Sequence, residues 1–194
     1  LVVLFAVLLL CGAVLTVCYG FLEVSSEEKL QRGIDKVYGG GTKDTTSILT
    51  AEDKKEYDDF TVKEAYLVTF TDNSDKHYLI KCEGKGGYSG GSVTCWVAVN
   101  IDESGKKIKN IAKVQVESYA AQTFMDKITD NMLNAYSKAD FTSTIPSFEP
   151  AGDYVSTGAT KSSTAICNAV NGAIAYTKEK LGITDTKDFY ETLD

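Results

Sequence analysis

Residues 77–101 read HYLIKCEGKGGYSGGSVTCWVAVNI. Two runs rich in β-branched and aromatic residues, His77–Cys82 and Ser92–Ile101, flank a stretch from Glu83 to Gly91 that holds five glycines. The flanking runs are strand-like, and so many glycines do not fit a strand interior. The expected unit is therefore two strands joined by a glycine-rich turn. Upstream, strand character begins near Val62 and continues through Ala65–Phe70 (AYLVTF), with Asp72–Asp75 (DNSD) as the turn into His77. Downstream, Asp102–Gly105 (DESG) makes a tight turn and Ile108–Val116 is a fourth strand. Four strands spaced by about ten residues predict an antiparallel meander.

Beyond Val116 the apolar period changes from two to that of a helix. Phe124, Ile128, Met132, Leu133 and Tyr136 form one stripe, which predicts a helix over Ala120–Tyr136. A loop containing Pro146 and Pro150 follows, and Ser162–Leu181 reads as a closing helix stopped by Gly182. Strands followed by helices predict an α+β domain with an antiparallel sheet and flanking helices. Before the sheet, Thr42–Asp59 is polar and reads as a loop or a short helix at Ala51–Tyr57. Val24–Val37 is expected to be a helical stalk, with Ser25-Ser26-Glu27-Glu28 at its start and Leu30, Ile34 and Val37 on one face. Gly39-Gly40-Gly41 ends it.

Leu1–Leu22 contains no charged residue, and Glu23 is the first charge. About 20 apolar residues in a helix span a bilayer core, and Tyr19 and Phe21 stand where an interfacial aromatic belt would lie. A signal peptide is the alternative, but its apolar region runs only about 7–15 residues. The expected organisation is a transmembrane helix over 1–22, a stalk and linker over 23–41, and a soluble domain over 42–194. The first residue is Leu, so the natural start is expected upstream.

The 194 residues carry a net charge of −7, which argues against nucleic acid as a partner because phosphate binding needs a basic face. The five cysteines form no CxxC pair and His77 is the only histidine. Zinc, iron–sulfur and Ser–His–Asp chemistry are thereby excluded as expectations. Cys82 and Cys95 flank the glycine-rich turn and could face each other on paired strands, as a disulfide or as two free thiols.

The chemistry-bearing stretch is Gly152–Ser163, GDYVSTGATKSS. Small and hydroxylated residues crowd the start of the closing helix. There, unpaired backbone N–H groups and the positive end of the dipole favour an anion. Gly158 allows close approach and Lys161 adds a charge, so the residues describe a phosphate seat. An ordinary Ser/Thr-capped helix is the alternative reading.

The run Thr157-Gly158-Ala159-Thr160, with Lys161, Ser162 and Ser163 and the following AICNAVNGAI, resembles the FMN-binding G subunit of the Rnf complex. It is similar also to the C subunit of the Na+-translocating NADH:quinone reductase. Gly87-Tyr88-Ser89-Gly90 resembles a second family segment that opens a strand. The resemblance implies an FMN-binding domain whose cofactor is a covalent phosphoester on Thr160, attached by a flavin transferase. It implies Thr157, Gly158, Ala159, Ser162, Ser163 and Tyr88 around the cofactor. It further implies an electron-transfer subunit on the extracytoplasmic side of the cell membrane, partnered by other membrane subunits of an ion-translocating ferredoxin:NAD oxidoreductase. The chain departs from the family in two places. Asp153 stands four residues before Thr157 rather than three, and Glu117–Gln122 (ESYAAQ) replaces an acidic-Thr-Pro-Gly stretch.

Overall fold

A computed structural model describes residues 5, 11, 26–40, 44–48, 56–70 and 75–183. Five strands form one antiparallel sheet in sequence order: β1 (Asp44–Ser47), β2 (Phe60–Thr69), β3 (Lys76–Gly84), β4 (Ser92–Ile101) and β5 (Ile108–Ala120). Among the described residues it is accompanied by α1 (Ser26–Tyr38), α2 (Asp130–Ala135) and α3 (Thr160–Leu181). The α+β class with an antiparallel sheet and flanking helices is thus observed.

The four expected strands are present, and Ser92–Ile101 has the bounds the sequence predicts. A fifth, β1, lies within the stretch read as a loop or helix and pairs with β2 from Asp44↔Thr69 to Ser47↔Tyr66. Only Thr45 and Thr46 of these four polar residues favour a strand and no apolar alternation accompanies them, so the edge of β2 decides their conformation. The turn at Asp72–Asp75 lies mostly outside the described residues, as do 51–55.

The helix expected over Ala120–Tyr136 is broken up. Strand β5 continues through Ser118–Ala120, paired with Thr94–Ser92, and a 3-10 turn occupies Met125–Lys127. Helix α2 begins only at Asp130, where Thr129 Oγ1 accepts the Met132 N–H at 3.3 Å. The apolar stripe is real in the sense that Met132, Leu133 and Tyr136 are buried. The cap at Thr129 and the pairing of β5 override its period.

β4 is buried along nearly its whole length, so both sheet faces must be covered. On one face Ile80, Cys82, Val93, Cys95 and Val97 pack against Ala165, Ile166, Ala169, Val170 and Ala173 of α3. The helix rides unusually low. A Cβ on Gly84 would stand 1.8 Å from the Ala165 carbonyl oxygen, and one on Gly172 would stand 2.5 Å from the Phe60 ring. Only glycine allows that separation at these two positions, Gly84 under the Ala165–Ala169 backbone and Gly172 over Phe60 and Cys82.

On the other face Ile34 and Val37 of α1 pack with Val68, Leu79, Trp96 and Ala98. The segment read as a stalk therefore lies against the sheet. Its last residue, Tyr38, is joined to His77 by a hydrogen bond between Oη and Nδ1 (3.0 Å), and Phe70 meets both rings edge-on. Burial, with Lys109 adding to it against the opposing pull of Asp75, lowers the His77 pKa to about 4. Among the described residues no helix is long and apolar enough to cross a membrane; the candidate span over 1–22 lies outside them apart from residues 5 and 11.

Two predictions follow from the packing. Gly84→Ala should force α3 off the sheet and cost roughly 1–3 kcal/mol, lowering the melting temperature by about 2–12 °C. Thermal unfolding measures this. The second concerns pH. The folded His77 pKa is depressed below its unfolded value, so its contribution is intact above pH 6.5 and is lost as pH falls toward 4. The loss is on the order of 3 kcal/mol. Protection factors of the amides in Ser26–Tyr38, taken against the intrinsic exchange rate at each pH, should fall over that window, and His77→Gln should remove this component of the pH dependence.

Candidate functional site

The low seat of α3 brings three distant segments to its N-terminal end. β3 runs out at Gly84 beneath Ala165, and the next carbonyl, that of Lys85, accepts Asn168 Nδ2–H at 3.0 Å. The chain then turns through a 3-10 segment, Tyr88–Gly90, into β4.

Gln122 fastens this turn to the helix. Its Oε1 accepts both the Tyr88 backbone N–H (3.1 Å) and the Ser162 hydroxyl (2.8 Å), while Nε2 donates to the Ala120 carbonyl (3.0 Å). A Cβ on Gly87 would stand 2.3 Å from Nε2, and one on Gly91 would stand 2.6 Å from it. The glycines of the turn therefore make room for the amide. The side chain is buried, and its bonds hold Tyr88 and Ser162 to one atom. Gln122 is the residue that sequence reasoning missed. The glycine pairs 86–87 and 90–91 signalled a close approach, but not which side chain makes it.

Backbone strain collects at the same place. Among the described residues, Ser89 (φ 52) and Ala121 (φ 55) are the non-glycine positions in the left-handed region. Such conformations cost about 1–3 kcal/mol each and persist where the surroundings over-determine them. Exposed aromatics lie on the same two segments. Tyr88, Tyr119 and Phe124 are 51%, 55% and 50% exposed, and apart from Phe5 they are the large apolar side chains left in water among the described residues. Tyr119 is paired with Val93, a core residue, so it points to the α3 side of the sheet.

The stretch Thr157–Ser163 divides into two functions. Ser162 and Ser163 are buried and already committed: Ser162 to Gln122, Ser163 donating to the Ala159 carbonyl (3.0 Å) and accepting the Ser156 N–H (3.0 Å). Ser156 in turn donates to the Lys127 carbonyl. Thr157, Gly158, Thr160 and Lys161 are exposed. Ala159 holds the cap position and supplies no side-chain acceptor, and the first helical bond is Ser163 N–H to Ala159 (2.9 Å). The Ser/Thr-capped alternative does not describe this terminus. A 22-residue helix presents its leading N–H groups uncapped beside the Thr160 hydroxyl. Gly158, at φ 84 with open space around it, leaves the approach clear. The arrangement is suited to an anion.

Of the residues the resemblance implied, Thr160, Thr157 and Gly158 form the exposed lip and Tyr88 stands on the adjoining rim. Ala159, Ser162 and Ser163 support them from below.

On the other side of the stretch, a polar cleft of about 410 Å³ is lined by Thr129, Asn131, Lys138, Asp153 and Tyr154, among others. The Tyr154 ring is engaged with Tyr136 and Phe148, each centroid 5.0 Å away. Between α3 and the sheet, Cys82 and Cys95 of the strands and Cys167 of α3 itself are buried free thiols, with Cys82 and Cys95 in direct cross-strand register. Burial pushes the Cys95 thiol up to about 12 and raises the other two, so these groups stay neutral. Among the described residues no group of three or more His, Cys, Asp or Glu side chains could hold a metal ion.

The fold and site together define an α+β domain with an open, anion-ready helix terminus beside an aromatic rim. Compared with protein-family models, curated proteins and solved structures, the chain finds no match.

Gln122→Ala should unfasten the Tyr88–Gly90 turn while leaving the sheet folded. A buried partner left unsatisfied costs about 1–3 kcal/mol. Hydrogen exchange at the Tyr88 amide should therefore rise by roughly tenfold or more, with exchange in β3 unchanged.

Proposed function

We propose that this protein is a membrane-anchored flavoprotein subunit that carries FMN as a phosphoester on Thr160 and relays electrons between neighbouring subunits. The observation that carries the reading is the uncapped start of α3. The Thr160 hydroxyl is exposed there, in the TGATKSS run that resembles the Rnf G subunit. Physical chemistry supports an anion at this terminus, and the resemblance supports which anion it is.

The residues present fit the group. The leading N–H groups of α3 and Lys161 would face its phosphate, and Thr160 Oγ1 would be the ester oxygen. Dipole and capping contributions are worth only about 0.3–2 kcal/mol. On an extracytoplasmic surface a cofactor held by such contacts alone would wash away, and a covalent link removes dissociation. FMN supplies the redox chemistry when bound; the chain positions it and tunes its surroundings. The buried hydroxyls of Ser162 and Ser163 hold the loop and leave Thr160 as the hydroxyl presented at the helix start.

The anchor would be Leu1–Leu22, with the domain outside the cytoplasm in the cell membrane. A flavin transferase would install the group. The partners would be membrane subunits of an Rnf-type ferredoxin:NAD oxidoreductase. Redox catalysis would belong to that assembly, with this chain as one relay within it. The same site would serve in the related C subunit of the Na+-translocating NADH:quinone reductase, or in a freestanding flavin carrier.

Protein taken from native membranes and run on a denaturing gel should show a flavin-fluorescent band under ultraviolet light. Thr160→Ala should abolish the band and keep the melting temperature within a few degrees, since only an exposed hydroxyl is lost. A dark wild-type band sinks the proposal. A band surviving in Thr160→Ala moves the acceptor to another hydroxyl. Co-purification with several membrane subunits in mild detergent separates the relay from a freestanding carrier.

A further inference from the structure

Two surfaces flank the tether point: the aromatic rim beside β5 and the polar cleft beside α2. We propose that Tyr88, Tyr119 and Phe124 are the seat of the planar ring of the group joined to Thr160, and that the cleft is not. This rests on the reading of Thr160 as an FMN ester site.

The rim suits a flat heteroaromatic ring in its chemistry. Three aromatic side chains, each about half exposed, lie on the two segments that Gln122 ties to the start of α3, whereas the other described large apolar residues, Phe5 apart, are at least partly covered. Aromatic faces left in water gain from contact with a second π system, by about 0.5–1.5 kcal/mol per pair beyond the area buried.

The rim is also fixed relative to the tether. The Tyr88 amide and the Ser162 hydroxyl share one acceptor atom on Gln122, and Ser162 is two residues beyond Thr160. The strained Ser89 and Ala121 hold the backbone next to Tyr88 and Gln122 in their turns. Tyr119 points to the α3 side because of its register with Val93.

The cleft offers the opposite chemistry. It carries Asp153, which opposes a phosphate monoanion, and hydrogen-bonding groups on Thr129, Asn131 and Lys138. The aromatic ring there, Tyr154, is already packed against Tyr136 and Phe148. The rim is a platform, so one face of a ring lying on it stays open for electron exchange with a partner.

The test uses full-length protein matured in cells that contain the transferase. The denaturing-gel band reads attachment; native flavin fluorescence and visible circular dichroism read how the ring is held. In the Tyr88→Ala/Tyr119→Ala/Phe124→Ala triple variant, the band should keep its intensity. Native fluorescence should rise several-fold toward the unfolded value, and the visible dichroism should collapse. Phe124→Ala alone should move both signals part of the way, and Phe124→Trp should hold them at wild type. All these sites are exposed, and far-ultraviolet dichroism checks the fold.

The seat is overturned if the triple variant leaves both native signals unchanged. It is overturned too if Asn131→Ala/Lys138→Ala shifts them instead, or if the triple variant loses the band, which would make the rim a transferase contact. A dark band in wild type overturns the Thr160 reading itself, and the seat with it.

Discussion

The close approach of α3 to the sheet is the contact on which the rest depends. Gly84 lies under the backbone of Ala165 and Ala169, Gly172 lies over the Phe60 ring and Cys82, and neither carries the atoms that would hold the helix away. Interiors pack at crystal-like density, so a helix this low has one position along the strands and little freedom to shift. That position sets where its N-terminus emerges: over the end of β3, beside the glycine-rich turn. Asn168 bonded to Lys85 and Asn171 bonded to both backbone groups of Phe148 lock the same helix to the two loops around it.

With the helix placed, the hydroxyl-rich run acquires a division of labour that composition does not show. Ser156, Ser162 and Ser163 spend their hydrogen bonds inside, on Lys127, Gln122 and Ala159. The cap position falls to Ala159, which has nothing to offer the first turn. A helix terminus left unpaired while three hydroxyls next to it are used elsewhere is an arrangement that favours an incoming anion. The strain at Ser89 and Ala121 and the exposed rim stand within the same few residues. Stability has been given up at one end of the molecule.

The opposite face of the sheet follows different physics. Helix α1 adds few apolar contacts, and its end is secured by Tyr38 on a neutral, buried His77. Charging that imidazole would place a cation in the contact that Asp75 offsets only in part, so this layer is the pH-sensitive one. In the proposed setting α1 joins the anchor to the domain, and its docking orients the domain on the membrane.

The sequence by itself determined the elements that rest on local chemistry. Alternating β-branched runs and turn residues specified β2 to β5, and the Ser162–Leu181 run stopped by Gly182 specified α3. The hydroxyl-rich run was legible as a helix start, though not which hydroxyls stay free. Other features were decided only in the tertiary structure. Asp44–Ser47 became a strand because β2 offers an edge. The stripe from Phe124 to Tyr136 broke because β5 goes on pairing to Ala120 and Thr129 caps a shorter helix. Gln122, in a stretch with no motif to its name, became the fastening between the turn and the helix. Each of these depends on a partner tens of residues away, and the strength of such a contact is set by burial and geometry that no local pattern encodes.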